Sequence, residues 1–312
     1  MNDTRHQATH FRMGLIALLA LLPLVLIKFE LSSPPPARFW RHLFDLGHIP
    51  LFILIGYITW LGLLRRTRRS GAALVGCLIS SLLLGCILEL TQLATGRTAS
   101  WNDLQLNIIG LLLFTAFGPQ QLPVNPVGRF LTGGIAFIWL SIQLLPLVTT
   151  SVDYYTLHRH PELLSDFESI GQQSRWTRGE LITADDPAYG KVLRVELDTK
   201  RYEGATLEYL PRDWSDYSTL ELHVFSADRG QSELHIKIRD SQAVSDGDHY
   251  AMQFNQIKPL KPGWNQIVLS LAQIRNSPKN RAMKMDQIHA VTLFFVERTS
   301  PGYLLVDNLR LR

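Results

Sequence analysis

Apolar positions along the chain fall into two regimes that meet near Val148. Before it they form long blocks, Met13 to Ile27, His48 to Leu64, Gly71 to Leu90, Leu104 to Phe117 and Phe130 to Val148. A helix needs roughly 20 apolar residues to cross a bilayer, and the first and fourth blocks reach that length only with their flanks. After Val148 the apolar residues come in short runs: Val192 to Leu197, Thr206 to Leu210, Leu220 to Phe225, Leu234 to Arg239, Asn265 to Leu271, Ala290 to Val296 and Tyr303 to Leu311. Turn pairs such as Arg229-Gly230, Asp246-Gly247 and Pro262-Gly263 separate them, which is the spacing of a sandwich or barrel. In Ser232 to Asp240 the residues Leu234, Ile236 and Ile238 point to one face, and Glu233, His235, Lys237 and Arg239 to the other. The expected organisation is a helical membrane bundle of about five spans over residues 1–148, a juxtamembrane linker over 149–163 and an all-β domain over 164–312.

Charge divides in the same way. Residues 1–150 hold 11 Lys/Arg and 5 Asp/Glu, whereas the remainder holds 20 and 22, so the net +4 is the sum of two unlike halves. A nucleic-acid binder gathers its basic residues on one soluble face. Here the excess lies between apolar blocks, which excludes nucleic acid as the partner and points to the lipid bilayer. Basic loops stay in the cytoplasm, so Arg65, Arg66, Arg68 and Arg69 place the second-to-third connection there, together with the N-terminal tail. Five spans that start inside finish outside, which makes the C-terminal domain periplasmic or extracellular and the protein a multi-pass resident of the cytoplasmic (inner) membrane. The first block, preceded by Arg5 and Arg12, reads either as an uncleaved anchor or as the core of a secretory signal. Cys77 and Cys86 lie nine residues apart on opposite sides of one helix, so disulfide scaffold, redox motif and zinc-cysteine cluster are excluded.

Polar residues gather at the outer ends of these blocks. Ser81, Gly85 and Glu89 recur every four residues and Gln92 follows at three, a single helical face. Asp103, Asn107 and Gly110 share a face of the fourth block, Arg97 and Ser100 lie in the loop between, and Asp45 and His48 stand one turn apart before the second. Charges inside a bilayer are costly, so groups collected at one depth suggest a shared site. Two readings stay open: a ligand-handling site, or an internal network that fastens a re-entrant hairpin.

The run from Glu89 to Gly110, ELTQLATGRTASWNDLQLNIIG, resembles the VanZ-like membrane proteins, with Glu89, Gln92, Arg97, Ser100, Asp103, Asn107 and Gly110 on the family's pattern. That family also sets an Asp and a His before the preceding span. Here Asp45 and His48 stand one residue closer, and Leu46 replaces a lysine. The resemblance names a site and implies no established reaction. DWSDYSTLELHVF from Asp213, PGWNQIVLSL from Pro262 and LLVDNLRL from Leu304 resemble the galactose-binding-like jelly roll of carbohydrate-binding modules. From that likeness Trp214 and Trp264 are expected in the core, Trp176, Tyr202 and Tyr250 are the candidates for stacking on sugar rings, and Glu168 and Asp307 are the candidate ligands of a structural calcium. No cofactor is required.

Two functions follow as expectations: a VanZ-like envelope protein presenting a glycan-binding domain outside the membrane, or an integral-membrane enzyme acting on a lipid-linked envelope precursor. In the second, His48 or Glu89 would serve as general acid or base, and Arg97 would hold an anionic group. No Walker loop, G-x-S-x-G elbow or H-E-x-x-H motif is present. A reporter active only in the cytoplasm, fused after Arg312, should be silent; an active fusion means that the span count is off by one.

Overall fold

The computed structural model describes residues 37–312 apart from 68, 95–99, 229, 231, 246, 248 and 249. The block Met13 to Ile27 and the loop residue Arg97 therefore lie outside the described residues. The chain divides into two compact units, Met1–Val148 and Thr149–Arg312.

Among the described residues the first unit holds five helices: α1 (Ala37–Asp45), α2 (His48–Thr67), α3 (Ser70–Ala94), α4 (Trp101–Phe117) and α5 (Pro126–Arg159), the last of which continues past the unit boundary. Three stretches among the described residues are long and apolar enough to cross a membrane: Arg38–Thr67, Ser70–Thr91 and Pro126–Arg159. With 17 residues, α4 is shorter, yet Leu106, Asn107, Ile109, Gly110, Leu111, Phe114, Thr115 and Ala116 are all buried. A helix enclosed by its neighbours need not match the bilayer in length. On α3 the buried positions Ala73, Cys77, Ser81, Gly85 and Glu89 recur every four residues, one stripe at helical spacing. On α2 the buried face is Phe52, Gly56 and Trp60, the continuation of His48. Small residues set the spacing between these faces, as lipid-embedded helices require. A Cβ on Gly110 would stand 2.7 Å from the carbonyl oxygen of Ile49, and one on Gly56 would stand 3.0 Å from the Phe114 ring. Arg129, at the start of α5, donates to the carbonyls of Ala116, Gly118 and Pro119, filling acceptors left open where α4 ends.

The second unit is a two-layer antiparallel sandwich. One sheet has the order β2 (Glu180–Thr183), β3 (Lys191–Leu197), β10 (Gly302–Leu311), β5 (Thr219–Ser226), β8 (Gly263–Ser270), with β1 (Leu163–Ser165) also paired to β10. The other runs β4 (Tyr202–Leu207), β9 (Ile288–Val296), β6 (Ser232–Asp240), β7 (Phe254–Leu260). Leu220, Leu222 and Val224 of β5 meet Leu234, Ile236 and Ile238 of β6 in one apolar core, joined by Trp214 at 0% exposure. Three strands escaped the sequence pattern, β1, β2 and β7. The last holds Pro259, tolerated because β7 is an edge strand and owes hydrogen bonds to one neighbour only. β4 starts four residues before the run Thr206 to Leu210 and ends inside it.

The stretch read as a linker begins as helix, the end of α5. Within this second unit Asp153 of α5 is fully buried against Arg175, with Oδ1 2.9 Å from Nε and 2.8 Å from a terminal guanidinium nitrogen. A further donor of Arg175 reaches the Leu164 carbonyl at 2.5 Å. Gly171, at φ +96°, permits this approach, since a Cβ there would lie 2.7 Å from the Thr149 oxygen. Removing one partner of such a pair strands a buried charge, so Asp153→Ala should destabilise the sandwich by about 3 to 5 kcal/mol in chemical denaturation. Asp153→Ala combined with Arg175→Met should recover most of that loss.

Candidate functional site

Each polar residue of the membrane unit is placed by a helix end. His48 is the first residue of α2, and Asp103 and Asn107 lie in the first two turns of α4. His48 Nδ1 is 2.9 Å from Asn107 Oδ1; because an amide oxygen only accepts, Nδ1 carries the hydrogen in this pairing. The opposite nitrogen, Nε2, lies 3.8 Å from Asp103 Oδ2, an ion-pair separation when the imidazole is protonated. Ser100 caps α4, its hydroxyl accepting from the backbone of Asn102 at 3.2 Å and of Asp103 at 3.4 Å. The Ser100 backbone N–H donates at 3.0 Å to Glu89 Oε2. Glu89 is 7% exposed, and its second oxygen, Oε1, is buried with no hydrogen-bond partner among the described residues.

Glu89, Ser100, Asp103, His48 and Asn107 thus form one connected series at one end of α2, α3 and α4, while Arg65 and Arg66 occupy the other end of α2. Asp45 closes α1 and is separated from His48 by a two-residue turn, so the two sit on adjoining helices instead of one face. Gln92 falls within α3, three residues beyond Glu89. Sequence reading missed a second polar joint: Gln105 Oε1 accepts from Trp139 Nε1 at 3.3 Å and from Gln143 Nε2 at 3.0 Å, tying α4 to α5. Its signal was a glutamine inside each of two apolar blocks.

On the sandwich, the sheet containing β5 and β8 turns an aromatic row outward. Trp264 stacks on Tyr189 with ring centroids 3.7 Å apart and planes 11° from parallel. Phe225 meets the Trp264 edge at 5.6 Å and lies parallel to Tyr303 at 6.4 Å, and Arg194 covers Tyr303 at 4.4 Å. Trp264 is therefore not in the core. The alternation of β8 sends Ile267 and Leu269 inward, which puts Trp264, Gln266 and Val268 on the outer face. Next to this row is a cleft of about 280 Å³ lined by Glu221, His223, Gln266, Asn308, Arg310 and Arg312. Glu221 accepts from both Arg312 and Gln266; burial pushes its carboxyl up, and those donors outweigh that and hold it below the ordinary range. Burial pushes the His223 imidazole down, and Arg310 and Arg312 push it the same way.

The three sugar-stacking candidates fare differently. Trp176 is 6% exposed, packs against Phe167 and donates from Nε1 to Ser165 Oγ at 3.1 Å, so its faces are not open to a ligand. Tyr202, with Arg201 over its ring, and Tyr250 are exposed, but neither belongs to the aromatic row. Of the two calcium candidates, Asp307 is 3% exposed, with Oδ2 accepting from Asn308 Nδ2 at 3.1 Å and Oδ1 unpartnered. Glu168 Oε1 accepts from the backbone of Lys191 at 2.8 Å. An orphaned buried carboxylate fits a hard cation, yet no group of three His, Cys, Asp or Glu side chains among the described residues is placed to hold a metal.

Residues 2–118 match the model of the VanZ/LLP1 family. The VanZ-like region therefore holds the whole polar series, from His48 to Asn107. Among solved structures the sandwich is similar to an exo-beta-agarase (TM-score 0.39, 15% identity, 48% of this chain and 24% of that one). It is also similar to the family 11 carbohydrate-binding module of Clostridium thermocellum (0.38, 15%, 48% and 94%) and to CBM28, a non-crystalline cellulose specific module (0.34, 15%, 48% and 93%). No curated protein matches the chain.

Asp307 makes the sandwich sensitive to pH. Burial, followed by the nearby charges of Asp166 and Glu168, pushes its carboxyl up from 3.8 to about 7. The folded state then keeps a proton that the unfolded chain releases near pH 4, so stability contributed by this group is complete below pH 4, falls as pH rises and is gone above about 7. The full span is about 4 kcal/mol. Asp307→Asn should be more stable than the wild type at pH 8 in urea titrations, with the difference shrinking toward zero at pH 4.

Proposed function

We propose that the protein is a membrane-embedded glycan receptor, in which the VanZ-like region holds the sandwich outside the cytoplasmic membrane. The observation that carries this reading is the Tyr189–Trp264 stack beside a cleft of hydrogen-bonding side chains. A sugar ring offers an apolar face of C–H groups rimmed by hydroxyls, and an aromatic plate next to Gln266, Asn308 and Arg310 complements both parts. The arginines at the far end of α2 from the polar series support the orientation through the positive-inside bias. Full-length protein in nanodiscs, probed on a panel of immobilised envelope polysaccharides, should retain a defined subset. Trp264→Ala should weaken that binding by about tenfold or more. An identical profile from wild type and variant overturns the reading.

A second reading rests on Glu89. A buried carboxylate oxygen without a donor is costly, and a ligand hydroxyl or ammonium that supplied the missing hydrogen would be held strongly. Such a site at the outer ends of α2, α3 and α4 suits the head of a lipid-linked envelope precursor. Mass spectrometry of lipids co-purifying with the wild type should then show one lipid-linked species that Glu89→Gln loses at unchanged thermal stability. Loss of stability with an unchanged lipid profile assigns Glu89 to fastening the α3–α4 connection instead.

A further inference from the structure

Accepting the outer face of the β5–β8 sheet as a glycan site, we infer that its ligand is an acidic saccharide whose carboxylate is taken by Arg310. The side chains that line the cleft are unevenly committed. Glu221 spends one oxygen on Arg312 and the other on Gln266, so Glu221 and Arg312 cancel as a pair. Burial pushes the His223 imidazole down from its ordinary value, and Arg310 and Arg312 push the same way against Glu221. Arg310 is left as the surplus charge: among the described residues its guanidinium makes a single hydrogen bond, to the side-chain oxygen of Asn308. Five N–H donors in a rigid fork, one of them used, can donate together to a planar two-oxygen anion.

Arg310 reaches this face by a specific backbone device. β10 pairs with β5 in plain register as far as Asp307 opposite His223, and the register then slips, so that Arg310 instead of Leu309 stands opposite Glu221. Asn308 takes up the slip at φ +50°, the left-handed region that an asparagine enters more readily than most residues. Without the bulge, strict alternation would turn Leu309 outward and bury Arg310. The bulge leaves Leu309 at 0% exposure and puts a cation into the cleft. Asp307, the adjoining carboxylate, is buried and does not line the cleft; it feels the charge of Arg310 through space but makes no hydrogen bond to it among the described residues, so the donors of the guanidinium stay available. A pyranose set against the Tyr189–Trp264 stack with a carboxylate in the plane of its ring substituents would satisfy the aromatic pair and the fork together.

The test compares two probes that differ only at the carboxyl position: an oligouronate and the same oligosaccharide with its carboxyl groups reduced to alcohols. Calorimetry uses the full-length protein in zwitterionic nanodiscs. The oligouronate should bind about tenfold tighter than its reduced form or better, and its affinity should fall between about 50 and about 500 mM salt. Arg310→Gln should erase the preference between the two probes, and Arg310→Lys should keep part of it. Equal binding of both probes to the wild type, lost in Trp264→Ala, overturns the acidic ligand and leaves the glycan reading standing. Binding of neither probe overturns both. A preference that survives Arg310→Gln places the anion elsewhere and overturns the inference even if Arg310→Gln unfolds in part, because the salt and probe comparisons on the wild type remain as independent readouts.

Discussion

A carboxylate taken out of water has to be met by donors or by a positive charge, or else accept a proton. Three buried carboxylates of this chain meet that requirement in three ways. Asp153 is met in full by the fork of Arg175, which ties the end of α5 to the entry of the sandwich. Glu89 is met by half, with one oxygen on the Ser100 backbone and the other open, so the turn into α4 and the carboxylate depend on each other. Asp307 has only an amide on one oxygen and is driven toward its neutral form. The first is a joint, and the other two are positions where an incoming group or a proton changes the energy of the fold.

In the helical region the polar series exists because backbones can touch. Gly110 lets α4 lie directly on the Ile49 carbonyl, and Gly85 leaves room for the Asn107 amide, 3.0 Å from where its Cβ would be. His48 reaches Asn107 only at that separation. Glycine and asparagine thus work as a unit, the first by being absent and the second by filling the space with a polar group.

Much of this was legible in the sequence. The four-residue recurrence of Ser81, Gly85 and Glu89 reads directly as a buried stripe, because a helix has one period and its spacing needs no partner. The inward face of β6 was readable for the same reason. What could not be read were properties created by pairing. Trp264 lies outward because of the strand it joins, and Tyr189, a loop residue, meets it only when β2 and β3 are in place. Trp176 and Trp264 are the same residue type with opposite fates, decided by Ser165 at the edge of one ring with Phe167 packed against it, and by the outward register of β8 at the other. The bulge at Asn308 left no periodic trace, since a single slipped residue looks like ordinary sequence until the opposite strand is known.

The central place of β10 also bears on how the domain is made. This strand pairs with β1, β3 and β5, so the larger sheet is three separate pieces, β1, β2–β3 and β5–β8, until residues 302–311 have been synthesised and delivered. Pairing across more than a hundred residues is slow, because loop closure precedes any gain from contact. On the reading that the sandwich is exported, its early strands wait unpaired on the far side of the membrane while the last is still in transit. That interval, and not the finished structure, is when proteases and chaperones of that compartment would act on it.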